Sequence, residues 1–367
     1  MKGAQDTMSL EEIRKTIDEI DNEIIDLLNN RAKAAMEIGK IKEQSNDHVY
    51  APAREKQIMK QIFEKNKGPL KNDALKAIYK EIISASRSLE KPLTVTYLGP
   101  SATFAHLAAL QKFGGSTNYV PVRTISDVFT DVQKGRADYG VVPIENSTEG
   151  IVSYTLDMFM DSDLKIFSEL MLEVSHNLMS KSPLERILKI YSHPQALAQC
   201  RRWLEANMTE AELVATSSTA QAAELAAKDP TAAAIANELA AEIYDLHLLV
   251  RRIEDSPNNY TRFLIIGHSI AQKSGSDKTS IMFSIRHKAG ALAEILNTFA
   301  AHGLNLTRIE SRPSRQRAWE YVFFVDLEGY AEDVNVADAL DEASKNCIFL
   351  KTLGSYPSGE WDPGSLS

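Results

Sequence analysis

The stretch Ser9-Leu-Glu-Glu-Ile-Arg-Lys-Thr-Ile-Asp-Glu-Ile-Asp-Asn-Glu-Ile-Ile-Asp-Leu-Leu-Asn-Asn-Arg31 decides how the N-terminal part of the chain folds. Ile13, Ile17, Ile20, Ile24 and Leu27, continued by Ala34, Ile38 and Ile41, recur at spacings of three and four, the period of one helix face. Ser9 followed by Glu12 supplies a capping box at the start. The pattern predicts one helix of about 34 residues, ~50 Å long at the α-helical rise. A stripe of that length cannot be buried inside a small domain, so it predicts a partner helix packed in coiled-coil fashion.

The stripe breaks once, at Arg31, which falls on the apolar seam, with Arg14 and Lys42 beside it. Working outward, a second helix opens at Pro52, carries Arg54 and Glu55, and stops at Gly68-Pro69. Asn72 reads as the cap of a third helix that runs to Glu90, and Lys91-Pro92 ends the helical region. A buried guanidinium is costly unless paired. Arg31 therefore reads either as a structural ion pair, with its stem reaching toward solvent, or as an anion ligand. Arg14, Arg31, Lys42 and Arg54 around one apolar bundle, with Glu55 and Glu90 as acidic companions, suggest a site for a multivalent anion.

From Leu93 the pattern changes. Short apolar runs at 93–98, 139–144, 187–191, 232–236 and 262–266 alternate with helical segments such as 103–113, which suggests an α/β sheet system in one large domain or two lobes around a cleft. Polar clusters stand at the ends of these runs, where α/β proteins place ligands. They are Gly99-Pro100-Ser101, Glu145-Asn146-Ser147, Ser192-His193-Pro194-Gln195, Thr216-Ser217-Ser218-Thr219 and Asn259-Tyr260-Thr261-Arg262-Phe263. Taken singly, Ser101 and Ser218 read as helix caps. Ala271–Thr279 is polar and reads as a linker. Residues 280–353 then read strand, helix, strand, strand, helix, strand, with strands at Ser280–Arg286, Thr307–Arg312, Glu320–Leu327 and Phe349–Leu353: a βαββαβ unit of ferredoxin-like type. The segments Met1–Met8 and the Gly- and Pro-containing tail after Ser355 read as loose.

Three resemblances rest on these residues. Ile13-Arg14-Lys15 with Ile20-Asp21, Leu27-Leu28-Asn29-Asn30-Arg31, Gly39-Lys40-Ile41-Lys42 and Arg54-Glu55 make residues 9–91 similar to the all-helical class of chorismate mutase, which pairs into an intertwined dimer. The resemblance implies that Arg31, Lys42 and Arg54 hold the carboxylates of chorismate, with Arg14 donated across the dimer. It also implies that Glu55 takes the substrate hydroxyl, Ser86 contacts the substrate, and Glu90 donates to the breaking ether oxygen. The rearrangement needs no nucleophile, so positioning and charge complementarity carry it. Ala51 stands where some members have an acid. A carboxyl donates only when protonated, so mutase activity is expected to fall as pH rises through the titration of Glu90, and Glu90→Gln to flatten that loss.

Residues 92–270 resemble prephenate dehydratase through Val142-Pro-Ile-Glu-Asn-Ser-Thr-Glu-Gly150, Ser192-His-Pro-Gln195 and Thr261-Arg-Phe263. The resemblance implies two α/β lobes of periplasmic-binding-protein type around prephenate, with Thr261 at the departing hydroxyl. Glu145 and Asn146 are implied as catalytic companions, and Ser147, His193, Gln195, Ser218 and Arg262 as substrate contacts. The proton source is left between Glu145, if a dry cleft favours its protonated form, and His193. Alternation along a strand turns Arg262 away from Thr261, so a structural role stays open for it.

Residues 278–355 resemble an ACT domain, an amino-acid sensor that pairs with another chain, through Gly290-Ala-Leu292 and Glu310-Ser-Arg-Pro313. This implies a phenylalanine site of Gly290, Ala291, Leu292, Asn305, Glu310, Ser311, Arg312 and Pro313. Together the resemblances imply a multidomain enzyme, all-α then α/β then α+β, that turns chorismate into prephenate and prephenate into phenylpyruvate under phenylalanine inhibition. Arogenate in place of prephenate, and a sensing protein without catalysis, are the rival readings.

Composition fits. The formal net charge of −9 disfavours a nucleic-acid or anionic-membrane partner. Cys200 and Cys347 lie far apart with no metal-ligand spacing, and neither a metal nor a cofactor is expected. No apolar run approaches bilayer length. The expectation is a cytoplasmic homodimer or tetramer.

Overall fold

The computed structural model describes residues 9–45, 49–313 and 321–359, so Met1–Met8, Glu320 and the tail beyond Gly359 lie outside the described residues. The chain divides into two compact units. The first comprises Met1–Ala51, Met59–Leu93 and Phe113–Thr117, and the second the remainder.

In the first unit α1 (Leu10–Ser45) opens with the expected reciprocal box, Ser9 N donating to Glu12 Oε2 at 2.7 Å and Glu12 N to Ser9 Oγ at 3.2 Å. After α2 (Pro52–Lys65), α3 (Asn72–Glu90) packs along α1. Gly39 permits this approach, because a Cβ there would stand 3.0 Å from Glu90 Cα. The cap expected at Asn72 is corrected: Lys71 occupies the cap position without a side-chain bond, and Asn72 accepts from Asn66 Nδ2 at 2.8 Å instead. Only Ala35 and Gly39 of α1 are buried. The apolar seam Ile13, Ile17, Ile20, Ile24 and Leu27 is exposed along its length.

The second unit holds three sheets. The chain runs β1 (Thr94–Leu98), α4 (Phe104–Phe113), β2 (Asn118–Val122), α5 (Ile125–Gln133), β3 (Tyr139–Asn146), β4 (Gly150–Ile151), α6 (Ser153–Met160) and β5 (Lys165–Glu173). It then leaves to build β6 (Asn177–Ser180), β7 (Lys189–Ser192), α7 (Pro194–Gln199), α8 (Arg201–Asn207), β8 (Glu212–Ala215), α9 (Thr219–Ala226), β9 (Ala232–Ala236), α10 (Glu238–Tyr244) and β10 (His247–Val250). It returns as β11 (Tyr260–Gly267), which inserts between β3 and β5 in the order β2-β1-β3-β11-β5. The excursion forms a separate sheet, β10-β6-β9-β7-β8, so two α/β lobes result. Every residue of the alanine-rich β9 is buried, as expected for a central strand covered on both faces.

The third sheet comes from β12 (Asp277–Ile285), α11 (Ala291–Ala301), β13 (Leu306–Pro313), β14 (Tyr321–Glu328), α12 (Val334–Asn346) and β15 (Cys347–Pro357). Its order is β13-β14-β12-β15 with all pairs antiparallel, the ferredoxin-like arrangement. Two boundaries need correction. Asp277–Thr279 belongs to β12 rather than to a linker, and Ala271 is buried with its carbonyl accepting from Tyr330 Oη at 2.8 Å. The chain after Ser355 is not loose at first: Tyr356 is fully buried and β15 continues to Pro357. No described helix is long and apolar enough to cross a membrane.

Candidate active sites

The mutase candidates of the first unit meet where α1 crosses α3. Arg31 Nη1 donates to Ser86 Oγ, and Ser86 is itself buried. One helical turn past Gly39, Lys42 Nζ lies 2.9 Å from Glu90 Oε2 and donates to Val49 O at 3.1 Å. Arg31 and Lys42 thus project from α1 toward Ser86 and Glu90 of α3. As Lys42's acceptor, Glu90 becomes the expected donor only when it carries a proton. Arg14 is exposed, in keeping with a donor offered outward. Arg54 lies in the first turn of α2 beside Glu55, its Nη1 donating to Gln57 Oε1 at 2.6 Å. Sequence reasoning missed Arg87, which is buried, donates to Phe113 O and stands over the Tyr50 ring, 5.0 Å from its centroid.

In the second unit the strand ends converge. Thr261 pairs with Asn146 in the β11–β3 register, and Asn146 Nδ2 donates to Thr261 Oγ1 at 2.8 Å. The amide orientation is fixed, because Asn146 Oδ1 accepts the backbone N–H groups of Thr148 and Glu149 at 2.9 and 3.1 Å. Thr261 therefore accepts at that contact and keeps its own O–H to donate. The chain of bonds goes on: Asn146 Nδ2 to Asn259 Oδ1 at 2.8 Å, Asn259 Nδ2 to Gln199 Oε1 at 3.2 Å, and His176 Nε2 to Gln199 Oε1 at 2.7 Å. Since Gln199 Oε1 can only accept, His176 carries its proton on Nε2, and burial pushes its pKa down and keeps the ring neutral. The chain joins a strand of the first lobe to α7 of the second.

Gln199 and Asn259 were not singled out from sequence, though the signal existed. Gln199 lies four residues beyond Gln195 on one helix, and Asn259 two residues before Thr261 on the incoming strand. The other candidates do local work. Ser147 Oγ donates to Asn258 O and accepts from Tyr260 N, stapling the loop. His193 Nδ1 caps α7 by accepting from Gln195 N, and Ser218 Oγ caps α9 by accepting from Gln221 N.

Two assignments change. A bulge between Arg262 and Phe263 sets the register against β3, and alternation turns Glu145 and Arg262 away from the face that carries Asn146 and Thr261. Glu145 is half-exposed and its Oε2 lies 3.3 Å from Arg308 Nε, so it is not the carboxyl of a dry cleft. Arg262 is buried. Its Nη2 lies 2.6 Å from Glu169 Oε2, its Nη1 2.6 Å from Asp326 Oδ2, and its Nη2 donates to Tyr356 Oη at 3.2 Å. With its guanidinium so engaged, Arg262 is a structural ion pair rather than a substrate contact. Burial raises the pKa of Glu169, but Arg262 and Lys278 outweigh it and hold the carboxyl below its usual value. Burial acts on Asp326 in the same way, and Arg262 with the Ser280 hydroxyl overcomes it.

On the third sheet, Gly290 takes φ +85° at the start of α11, a left-handed conformation that glycine adopts without a Cβ clash. Gly290, Ala291 and Leu292 line a groove of about 440 Å³ together with Ile285, Leu296 and Phe323, under a rim of Arg286, His287 and Lys288. Asn305, Glu310, Ser311, Arg312 and Pro313 are not part of this groove. Arg312 instead donates to Ser153 Oγ at 2.7 Å.

Comparisons with known proteins match this division. Residues 13–91 match the model for chorismate mutase type II, 95–271 that for prephenate dehydratase and 279–344 that for the ACT domain. The bifunctional chorismate mutase/prephenate dehydratase of Aquifex aeolicus is 52% identical over 353 residues, covering 95% of this chain and 98% of that protein. The chain belongs to the bifunctional chorismate mutase/prephenate dehydratase family. The Pseudomonas aeruginosa member is 43% identical over 359 residues, covering 96% of this chain and 98% of that protein. Among solved structures, a prephenate dehydratase from Arthrobacter aurescens in complex with L-Phe is 36% identical, with a TM-score of 0.67 over 72% of this chain and 90% of that one. GqqA, described as a novel type of quorum quenching acylase, also superposes at TM-score 0.67 with 30% identity, covering 73% of this chain and 99% of that one. The shared architecture thus hosts more than one stated activity, and it is the full-length bifunctional relatives that fix this chain's. It is a chorismate mutase and a prephenate dehydratase in one polypeptide, and the Thr261–Asn146 pair lies within its dehydratase segment.

Proposed function

We propose that chorismate is held between α1 and α3 by Arg31 and Lys42, with Arg54 and a partner chain's Arg14 completing the cation set, and Glu55, Ser86 and Glu90 addressing its oxygens. The exposed seam of α1 supports the partner: five large aliphatic side chains in register are an apolar stripe that the described residues of one chain leave exposed. Prephenate then reacts in the second unit, where Thr261 donates its O–H to the departing ring hydroxyl. Asn146 supports this role, since its Nδ2 occupies a lone pair of Thr261 and leaves the proton directed elsewhere. A threonine is a weak acid, so its contribution is a hydrogen bond that strengthens as charge builds on the leaving oxygen. Aromatisation supplies the driving force.

L-Phenylalanine is the inhibitor this reading assigns to the groove at Gly290–Leu292. Its apolar floor of Leu292, Leu296 and Phe323 suits a benzyl side chain, and the rim of Arg286 and Lys288 suits a carboxylate. A second copy's β13, bearing Glu310–Pro313, would complete the groove in a paired assembly. The setting is the cytoplasm. The observation that supports the dehydratase reading is the Thr261–Asn146 contact, and the experiment that tests it gives the purified chain chorismate with and without L-phenylalanine. Prephenate and phenylpyruvate should both form, with phenylpyruvate suppressed by phenylalanine. Prephenate accumulating without phenylpyruvate would remove the prephenate assignment of Thr261 and turn the test to arogenate.

A further inference from the structure

The edge strand β13 of the ACT sheet makes two contacts that the mutase, dehydratase and sensor activities leave unexplained. Leu306, Arg308, Glu310 and Arg312 alternate with exposed neighbours and share one face of the strand. Arg308 Nε stands 3.3 Å from Glu145 Oε2, directly before the catalytic Asn146. Arg312 Nη1 donates to Ser153 Oγ at 2.7 Å, and its Nη2 lies 3.4 Å from Asp157 Oδ1, both on the first turns of α6. Between these anchors the chain is a closed unit. Glu145 and Asn146 pair with Ile151 and Gly150, Val152 N donates to Ile144 O at 2.9 Å, and Asn146 Oδ1 gathers the turn. Such a unit moves as one piece, and Asn146 moves with it.

We propose that Arg308 and Arg312 are positioning residues of the dehydratase: they clamp the catalytic segment Glu145–Ser153 at both ends and so hold Asn146 against Thr261. The sensor sheet thereby supplies part of the dehydration machinery, and an effector bound at Glu310–Pro313 acts by shifting the strand that carries both arginines. The first half of this inference rests on the Thr261–Asn146 reading above, and the second half on the phenylalanine reading. Two anchors matter because one ion pair leaves the segment free to pivot, whereas two on a single strand, separated by roughly 13 Å at strand rise, fix its tilt.

The test uses the full-length chain carrying R308Q, R312Q, E145Q or R308Q/E145Q, with R308K and R312K as conservative partners. Phenylpyruvate formation from prephenate, prephenate formation from chorismate and calorimetric binding of L-phenylalanine are measured on each. R308Q and R312Q should each lower the dehydration kcat about tenfold with KM little changed, since small misplacements of a reacting group carry losses of this kind. The mutase rate should stay at the parent value, the lysine variants should recover part of kcat, and R308Q/E145Q should be no slower than R308Q alone. Bound phenylalanine should inhibit the glutamine variants less than the parent. Parent-like kcat and inhibition in both glutamine variants would overturn the clamp, as would fully multiplicative losses in the double variant. Loss of phenylalanine binding in R312Q at unchanged kcat would make Arg312 an effector ligand instead. If the parent chain fails to bind phenylalanine, the effector reading falls, and the kcat comparison still decides the clamp. Should R312Q fail to fold, R312K decides the second anchor.

Discussion

In the proposed reading Thr261 and Asn146 carry the dehydration, because each settles the other's hydrogen-bond role. Thr261→Ala removes the only donor this pair offers to a leaving hydroxyl, so phenylpyruvate formation should fall by at least ~10²-fold, the scale of losing one aimed donor. Mutase turnover should be untouched; a parent-like dehydratase rate in T261A would remove the assignment. Gly39 acts at the same scale in the mutase. A Cβ there meets the Glu90 backbone at 3.0 Å, and backbone cannot swing aside as a long side chain can. Gly39→Ala should force α1 from α3, lower stability by about 1–3 kcal/mol and reduce chorismate turnover, read by urea unfolding and by mutase assay. Arg31 and Lys42 were legible as residues because cations beside an apolar stripe need a reason. For Arg262 the open structural alternative is the one its buried ion pairs fit, whereas for Glu145 a strand's alternation says which side chains part company but not which face meets substrate.

At the scale of elements, the turn before α4 shows how a local bond can set pH dependence. Ala102 sits at φ +69°, and its N–H donates to His106 Nδ1 at 3.1 Å. The His106 ring stacks on Tyr97 at 4.6 Å. Burial pushes the His106 pKa down. The folded state therefore binds that proton less well than the unfolded chain does, and stability rises with pH across the window. The contribution is complete above the unfolded value of about 6.5 and declines as pH drops below it toward the depressed folded value. Thermal melts from pH 7.5 to 5 should show a steeper loss for the parent than for His106→Gln, and superimposable slopes would remove this role. The strands and helices themselves were largely legible, because period and caps are local properties. The exceptions were local too: Asn72 entered the helix instead of capping it, and Asp277–Thr279 extended β12 where polarity suggested a linker.

At the scale of the whole molecule, the second unit is tied together by a neutral quartet of buried charges. Arg262 and Lys278 face Glu169 and Asp326, and these four side chains join the β11–β5 edge of the dehydratase to the β12–β14 pair of the ACT sheet. Removing one member leaves its partners uncompensated, so Arg262→Met should lower stability by roughly 3–5 kcal/mol in urea unfolding. Both carboxyls are held below their usual values. Their stabilising effect is present above the unfolded value of about 4 and is lost as pH falls through the folded values. Acid unfolding followed by circular dichroism should accordingly show its main loss below about pH 4 in the parent. Assembly belongs to this scale as well. Ile17→Glu with Ile24→Glu should leave α1 helical yet yield a smaller assembly than the parent by sedimentation, with little mutase activity; an assembly of parent mass would contradict the seam's role.

By itself the sequence determined the three-part order, the long helix with its apolar stripe, and the cations beside that stripe, because periodicity, caps and uncommon charges are encoded residue by residue. Only the tertiary structure decided that Asn146 meets Thr261 and that Gln199 and His176 extend the chain of bonds into the second lobe. It also decided that Arg262 serves the junction and that β13 contacts Glu145, Ser153 and Asp157. These pairings span from 23 residues, between His176 and Gln199, to 115, between Asn146 and Thr261. Such contacts depend on register, bulges and the return of β11 between β3 and β5, and no local pattern in the chain records those.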